Sequence, residues 1–204
     1  MKKMHAAIMV LAVVMIFNVT PAPADPINLA LTGTATQVST YGTGVAANAI
    51  DNMFNSFDNF SMSHTDAAAY AWWQVDLGNT YNISDIDIYN RIGDYGWRIY
   101  GAVVSIIAAD NTTVWSSSPI PGYRDDPTML DVYHFDVAES VTGRIVKVQL
   151  TRTGDDPYVH MREVQVWGSS TPPGPGPVPI PAAAWLLGSG LIGLAAVRRK
   201  FSGK

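Results

Sequence analysis

Between residues 72 and 168 the chain alternates apolar and polar positions with a period of two. Seven runs carry the pattern: WWQVDLG (72–78), SDIDIYN (84–90), GAVVSIIA (101–108), NTTVWS (111–116), VYHFDV (132–137), GRIVKVQLT (143–151) and REVQVWG (162–168). Each places Val, Ile, Trp, Tyr or Phe on one face and polar side chains on the other, as a strand with one buried face requires. Gly, Asn, Asp and Pro, the residues that form turns, fill the separators. No stretch of residues 25–168 has a 3.6-residue apolar stripe beyond a single turn at 46–51. Seven or more strands at this spacing predict an all-β sandwich, and residues 25–168 have the length of one domain.

The ends of the chain follow other patterns. MKKMHAAIMVLAVVMIFNVTPAPA (1–24) has a basic start, an apolar run from Ala6 to Phe17 and the small-residue ending Ala22-Pro23-Ala24. That is the layout of a signal peptide cut before Asp25, and its apolar run is short for a membrane anchor. SSTPPGPGPVPIP (169–181) is a Pro/Gly linker unable to build a core. A hydrophobic helix is expected over 182–204, with the apolar AAAWLLGSGLIGLAAV (182–197) followed by Arg198-Arg199-Lys200, a basic tail that stays cytoplasmic. The proline motif, short apolar helix and basic tail, in that order, resemble the PEP-CTERM sorting signal of Gram-negative bacteria. Here Val178-Pro179-Ile180-Pro181 stands where the family has Pro-Glu-Pro. The resemblance implies at least transient membrane insertion, an exosortase-type processing enzyme as partner, and a secreted or cell-surface product. A permanent anchor is the alternative.

Charge narrows the partners. All seventeen Asp and Glu lie in 25–168 with only seven of the thirteen Lys and Arg, a net of −10 where the whole chain stands at −4. Such a surface repels phosphate backbones, which argues against nucleic acid, and it favours a bound cation. The chain has no cysteine, so an exported domain must do without disulfides.

Three segments then carry a family resemblance: NLALTGTATQVSTYGTGVAANAIDNMFNS, SHTDAAAYAWWQVDLGNTYNISDIDIYNR and VHMREVQVWG. They resemble the discoidin-like domains, jelly-roll β-sandwiches of about eight main strands with a binding site in the loops at one end. Within that superfamily they are similar to the fucose-binding F-type lectins. In those, a His-Thr precedes the Trp-Trp strand, an Arg follows the His by 27 positions, and a second Arg follows by 7. Here these are His64-Thr65, Arg91 and Arg98. The resemblance implies that His64, Arg91 and Arg98 bind sugar hydroxyls and the ring oxygen. Arginine suits that task because its rigid donors can fork onto adjacent oxygens at any relevant pH. Phe54, Phe57 and Phe60 are candidates for an apolar wall against the sugar methyl. This chain departs from the family turn: Gly93 replaces an Asp, Asp94 follows one place later, and the adjacent cysteines are missing. Tyr95 or Trp97 is expected to replace the surface they provide. The alternative for both arginines is an ion pair with Asp94 or another carboxylate that merely pins the turn.

NAIDNMFN (48–55) resembles the calcium loop of the same lectins. The resemblance implies a structural Ca2+ held by the carboxylates of Asp51 and Glu163, by Ser61, and by the backbone carbonyls of Asn48, Met53 and Arg162. Calcium accepts such mixed oxygen sets. A turn satisfied by its own Asn and Asp side chains is the alternative. No catalytic residues are expected. The Asp125-Asp126 and Asp155-Asp156 pairs stand before prolines in turns and read as solvated loop acids, and His134 reads as structural. His160, three residues before Glu163, is expected near the metal, with simple packing there as the alternative. The sequence therefore predicts a calcium-stabilised, non-catalytic lectin preferring L-fucose. The alternative is a discoidin-like adhesion or matrix protein that binds another glycan or a protein.

Overall fold

The computed structural model describes residues 25–54, 61–137, 141–154 and 156–169. The expected signal peptide, nearly all of the linker, the C-terminal helix, Phe57 and Phe60 lie outside them. Nine strands form among the described residues: β1 Ile27–Asn28, β2 Thr34–Gln37, β3 Ser63–His64, β4 Trp72–Asn90, β5 Ala102–Ile107, β6 Thr113–Ser116, β7 Val132–Asp136, β8 Thr142–Leu150 and β9 His160–Gly168. All pairings are antiparallel. No described helix is long and apolar enough to cross a membrane.

The runs at 72–78 and 84–90 are not two strands but the halves of β4, which serves two sheets. Its first half pairs with β2 and β8, and β8 leads on to β5 and β6. Its second half pairs with β7 and β9, and β9 also takes β1 and β3. The change of partner coincides with a register shift between Asp76 and Tyr81. Gly78 sits there at φ +82, a conformation costly for any side chain. At that corner Arg144 of β8 grips Asp76 of β4 with two bonds of 2.8 Å.

Alternation now fills the core. Trp73, Val75, Ile86 and Ile88 of β4, Val104 and Ile106 of β5, Val146 and Val148 of β8, and Val164 and Val166 of β9 are fully buried. Fully burying each such side chain contributes roughly 1.5–3 kcal/mol against conformational entropy. Trp73 Nε1 donates to the Ala46 carbonyl (2.9 Å), fastening the 3-10 turn Ala46–Ile50 over the sandwich. β9 departs from simple alternation. It is flanked by β1, β3 and β4 and packed against the 3-10 turns Leu29–Thr32 and Ala46–Ile50, so polar His160, Arg162, Glu163 and Gln165 are buried as well. Buried polar groups need partners, and those of β9 lie at the candidate site.

Candidate functional site

Four segments meet where β4 ends and β9 begins. β3 pairs with the start of β9, His64 opposite His160. The loop 41–44 is laced to β3, the Tyr41 N–H donating to the His64 carbonyl and the His64 N–H to the Gly44 carbonyl, both at 2.9 Å. A Cβ on Gly44 would lie 2.5 Å from His64 Cβ and 2.8 Å from its nitrogen, so only glycine lets this loop press so close. Tyr158 enters just ahead of β9, and the turn 91–98 closes the ring. His64, Arg91 and Arg98, which the family resemblance singled out, line one cleft of about 400 Å³ together with Tyr41, Tyr95 and Tyr158.

His64 Nδ1 stands 2.7 Å from the Thr65 carbonyl, which can only accept, so Nδ1 carries the proton. Burial lowers the His64 pKa from its ordinary 6.5, and the charges of Arg91 and Arg98 push the same way. The ring is thus neutral at pH 7, with Nε2 a bare acceptor. It is packed against Tyr41 (centroids 4.8 Å apart) and edge-on to Tyr158 and His160 (5.5 and 5.0 Å).

The arginine turn is pinned without disulfides. Asn90 donates from its amide to the Gly96 and Leu130 carbonyls (3.0 and 3.1 Å) and accepts from the Arg91 N–H (2.9 Å). Tyr95 takes the left-handed region at φ +72, and its carbonyl accepts from His160 Nε2 at 3.0 Å. The Arg98 guanidinium lies between the Tyr95 and Tyr158 rings, 4.2 and 4.4 Å from their centroids, and Arg91 lies 5.2 Å from that of Tyr95. Cations over aromatic faces are attracted by the ring quadrupole. One part of the turn-pinning alternative is realised. Arg98 meets a carboxylate, but it is Asp156 at 3.4 Å and not Asp94. Arg91 has no ion-pair partner among the described residues, and the Nε atoms of both arginines are buried without a hydrogen bond. Burial and the neighbouring Arg98 lower the Arg91 pKa. Two adjacent cations lining one cleft form a site for partly negative oxygen atoms.

Several expectations need correction. Phe54 does not line the cleft: its ring packs on Tyr89 (4.8 Å) and its carbonyl accepts from Arg162. Trp97 is buried and faces a neighbouring cleft of about 530 Å³ that shares only Arg91 and Tyr95 with the first. Of the two candidates for the missing cysteine surface, Tyr95 is therefore the one in place. His160 belongs under this turn and not to the metal loop. Asp126 and Asp156 are not simply solvated, since Asp126 accepts from Thr128 twice and Asp156 engages Arg98. Tyr41 and Tyr158 were missed for the cleft, and His160 for its place beneath it, because each comes from a loop or strand with no spacing relation to the His-Arg-Arg motif.

Of the residues expected at calcium, the loop after Asp51 reaches Glu163 of β9. The Asn52 N–H lies 3.2 Å from both carboxylate oxygens of Glu163, Met53 N–H donates to Asp51 Oδ1 (2.9 Å), and the Asn48 amide donates to the Met62 carbonyl beside Ser61 (3.2 Å). Glu163 is fully buried, and burial together with the charge of Asp51 pushes its pKa up to about 7. The Arg162 side chain gives no relief, since it turns to the carbonyls of Asn90 and Phe54. Two carboxylates that repel each other, one of them buried, fit a hard divalent cation.

Residues 48–148 match the NedA-like, galactose-binding domain family. Fucolectin-6 of Anguilla japonica is 35% identical over 122 residues, 59% of this chain and 62% of that protein, so the chain spans less than two thirds of that relative. Fucolectin-2 of the same eel is 32% identical over 145 residues, 68% of this chain and 78% of that protein. The chain belongs to the fucolectin family. The lectin domain of lectinolysin, solved with Lewis B antigen, superposes on this fucolectin domain with a TM-score of 0.63 at 28% identity, covering 72% of this chain and 100% of that domain.

Proposed function

We propose that this fucolectin-family domain is a non-catalytic lectin that holds L-fucose, or a terminal fucose of a larger glycan, in the cleft between His64, Arg91 and Arg98. The observation that carries the reading is the convergence of those three side chains with Tyr95 and Tyr158 around one open cleft. L-Fucose offers adjacent hydroxyls, one of them axial, a ring oxygen and an apolar face ending in a methyl. The guanidinium groups of the two arginines that line the cleft suit adjacent oxygens, and charge-assisted bonds of this kind are the stronger ones. His64 Nε2 suits a hydroxyl donor. The exposed Tyr95 ring offers an apolar surface to the C–H face. Asp156, the carboxylate nearest this cleft's arginines, is engaged with Arg98, which supports binding without catalysis. The fucolectin relatives and the Lewis B complex of lectinolysin support the choice of sugar.

Calcium is the proposed structural ion, held by Asp51, Glu163 and Ser61 and by the carbonyls of Asn48, Met53 and Arg162. When bound it would neutralise the two carboxylates and tie the start of the domain to its end. The terminal segments support export and PEP-CTERM-type sorting by an exosortase, leaving the lectin secreted or on the surface of a Gram-negative bacterium.

Calorimetric titration in calcium tests the sugar reading. L-Fucose is expected to give saturable heat, lost in Arg91→Ala and Arg98→Ala while the melting temperature is retained. The match to a galactose-binding family gives D-galactose as the competitor, and tighter D-galactose binding would move the reading to that sugar. Undiminished fucose heat in both variants would overturn the site.

A further inference from the structure

On the opposite face of β4 from the core, away from the lectin cleft, the strand register builds a second cluster. Asp85 of β4 pairs with Asp136 of β7, and Asp87 with His134. Residues two apart on a strand share a face, so three carboxylates and one imidazole form a square on the outer surface. From these residues we propose a transition-metal site, for zinc or a similar imidazole-seeking divalent ion, with His134 Nε2, Asp85 and Asp136 as ligands and Asp87 as the residue that orients the histidine.

The distances support it. His134 Nδ1 is 2.6 Å from Asp87 Oδ1, and the other Asp87 oxygen accepts from Trp167 Nε1 at 2.8 Å. Asp87 is thus fixed from behind and holds the Nδ1 proton, the carboxylate–histidine arrangement that supports metal-bound imidazoles. Nε2 then faces the remaining two acids, 3.1 Å from Asp136 Oδ1 and 3.6 Å from Asp85 Oδ1. Zinc ligands at about 2.0–2.2 Å in a tetrahedron lie about 3.4 Å apart, a separation these two bracket. All three ligand atoms lie within 4.8 Å of one another. The imidazole argues for a transition ion and against calcium, which prefers oxygen alone. Binding exchanges the Nε2 proton for the metal, and that one proton leaves to solvent. Three protein ligands leave the fourth position to water. The other reading of the cluster is an imidazolium clamped by acids, which binds no metal.

The test is calorimetric titration of zinc chloride into the full chain with calcium in excess, so that Asp51 and Glu163 do not compete for zinc. One saturable site is expected. It should be lost in His134→Gln, weaken at least tenfold in Asp85→Asn and Asp136→Asn, and weaken about 10- to 100-fold in Asp87→Asn, as removal of an orienting partner does. The surface variant Asp110→Asn should bind zinc normally. L-Fucose heat should stay unchanged in all five, which separates this site from the lectin reading. In the unaltered protein, zinc should shift the 15N resonance of His134 Nε2 far more than that of Nδ1, a readout that needs no variant. Absence of saturable zinc binding, zinc binding that survives His134→Gln, or perturbation centred on His64 or His160 would overturn the proposal.

Discussion

At the scale of single residues the cleft turns on one proton and one missing side chain. His64 must keep Nε2 bare to accept from a sugar hydroxyl, and burial together with two arginines lowers its pKa. Fucose affinity should therefore be level from pH 8 down to about 6.5, where an unperturbed histidine would already be half charged. It should fall only at lower pH, as Nε2 gains a proton and becomes a donor. Calorimetry across that range checks this, and a decline centred at or above 6.5 would contradict it. Gly44 sets the second residue-scale limit. In Gly44→Ala the new methyl would collide with the Cβ and backbone of His64. Because the obstacle is partly backbone, the loop 41–44 must move, and fucose binding should weaken at least tenfold, read by the same titration. Truncating either arginine removes charge-assisted bonds of roughly 1.5–3 kcal/mol, beyond what a weak monosaccharide site can lose and remain measurable.

Among the elements, β4 organises the molecule by crossing between sheets, and its corner is fastened by the Asp76–Arg144 pair. The Arg144 hydrogen bond lowers the Asp76 pKa. A depressed carboxylate stabilises the fold above its unfolded pKa, and that contribution is lost as pH falls through the folded value. Asp76→Asn should thus lower the melting temperature at pH 7, and the difference from the parent should shrink to nothing as the pH drops below the ordinary aspartate range. A difference independent of pH would mean the pair matters only for shape. Ile86→Ala, deep in the second half of the same strand, should cost about 2–5 kcal/mol in chemical denaturation whatever the pH. The strands were legible in sequence where Val, Ile and aromatics alternate, because burial of one face is what such alternation encodes. β2 went unseen because TATQ alternates with side chains too small to signal a core, and β1 and β3 are two residues each. The His64, Arg91 and Arg98 cleft was legible because the spacing of the lectin family it resembles survives along this chain. Tyr41, Tyr158 and His160 were not, since only the pairing of β3 with β9 brings them beside that motif.

For the molecule as a whole, the proposed calcium site joins distant parts of a domain that has no disulfide. Asp51 follows the turn that covers the sandwich, and Glu163 lies buried in β9, whose far end pairs with the first strand. An ion bound only by the folded state stabilises it by mass action, by about 2.7 kcal/mol at one hundred times its dissociation constant. Removing calcium with a chelator should accordingly lower the melting temperature. Glu163→Gln should change the sign of the comparison. Without calcium, the variant loses the repulsion between Asp51 and a buried carboxylate, so it should melt no lower than the parent. With calcium, it lacks an anionic ligand, gains little from the ion and should melt lower. Melting curves of both proteins in calcium and in chelator give four temperatures whose order decides the matter. If Glu163→Gln is the less stable protein by the same margin in both conditions, Glu163 serves packing and hydrogen bonding alone. If the order inverts, the two carboxylates are facing each other for the sake of a cation, and the acid excess of the domain has one of its physical reasons.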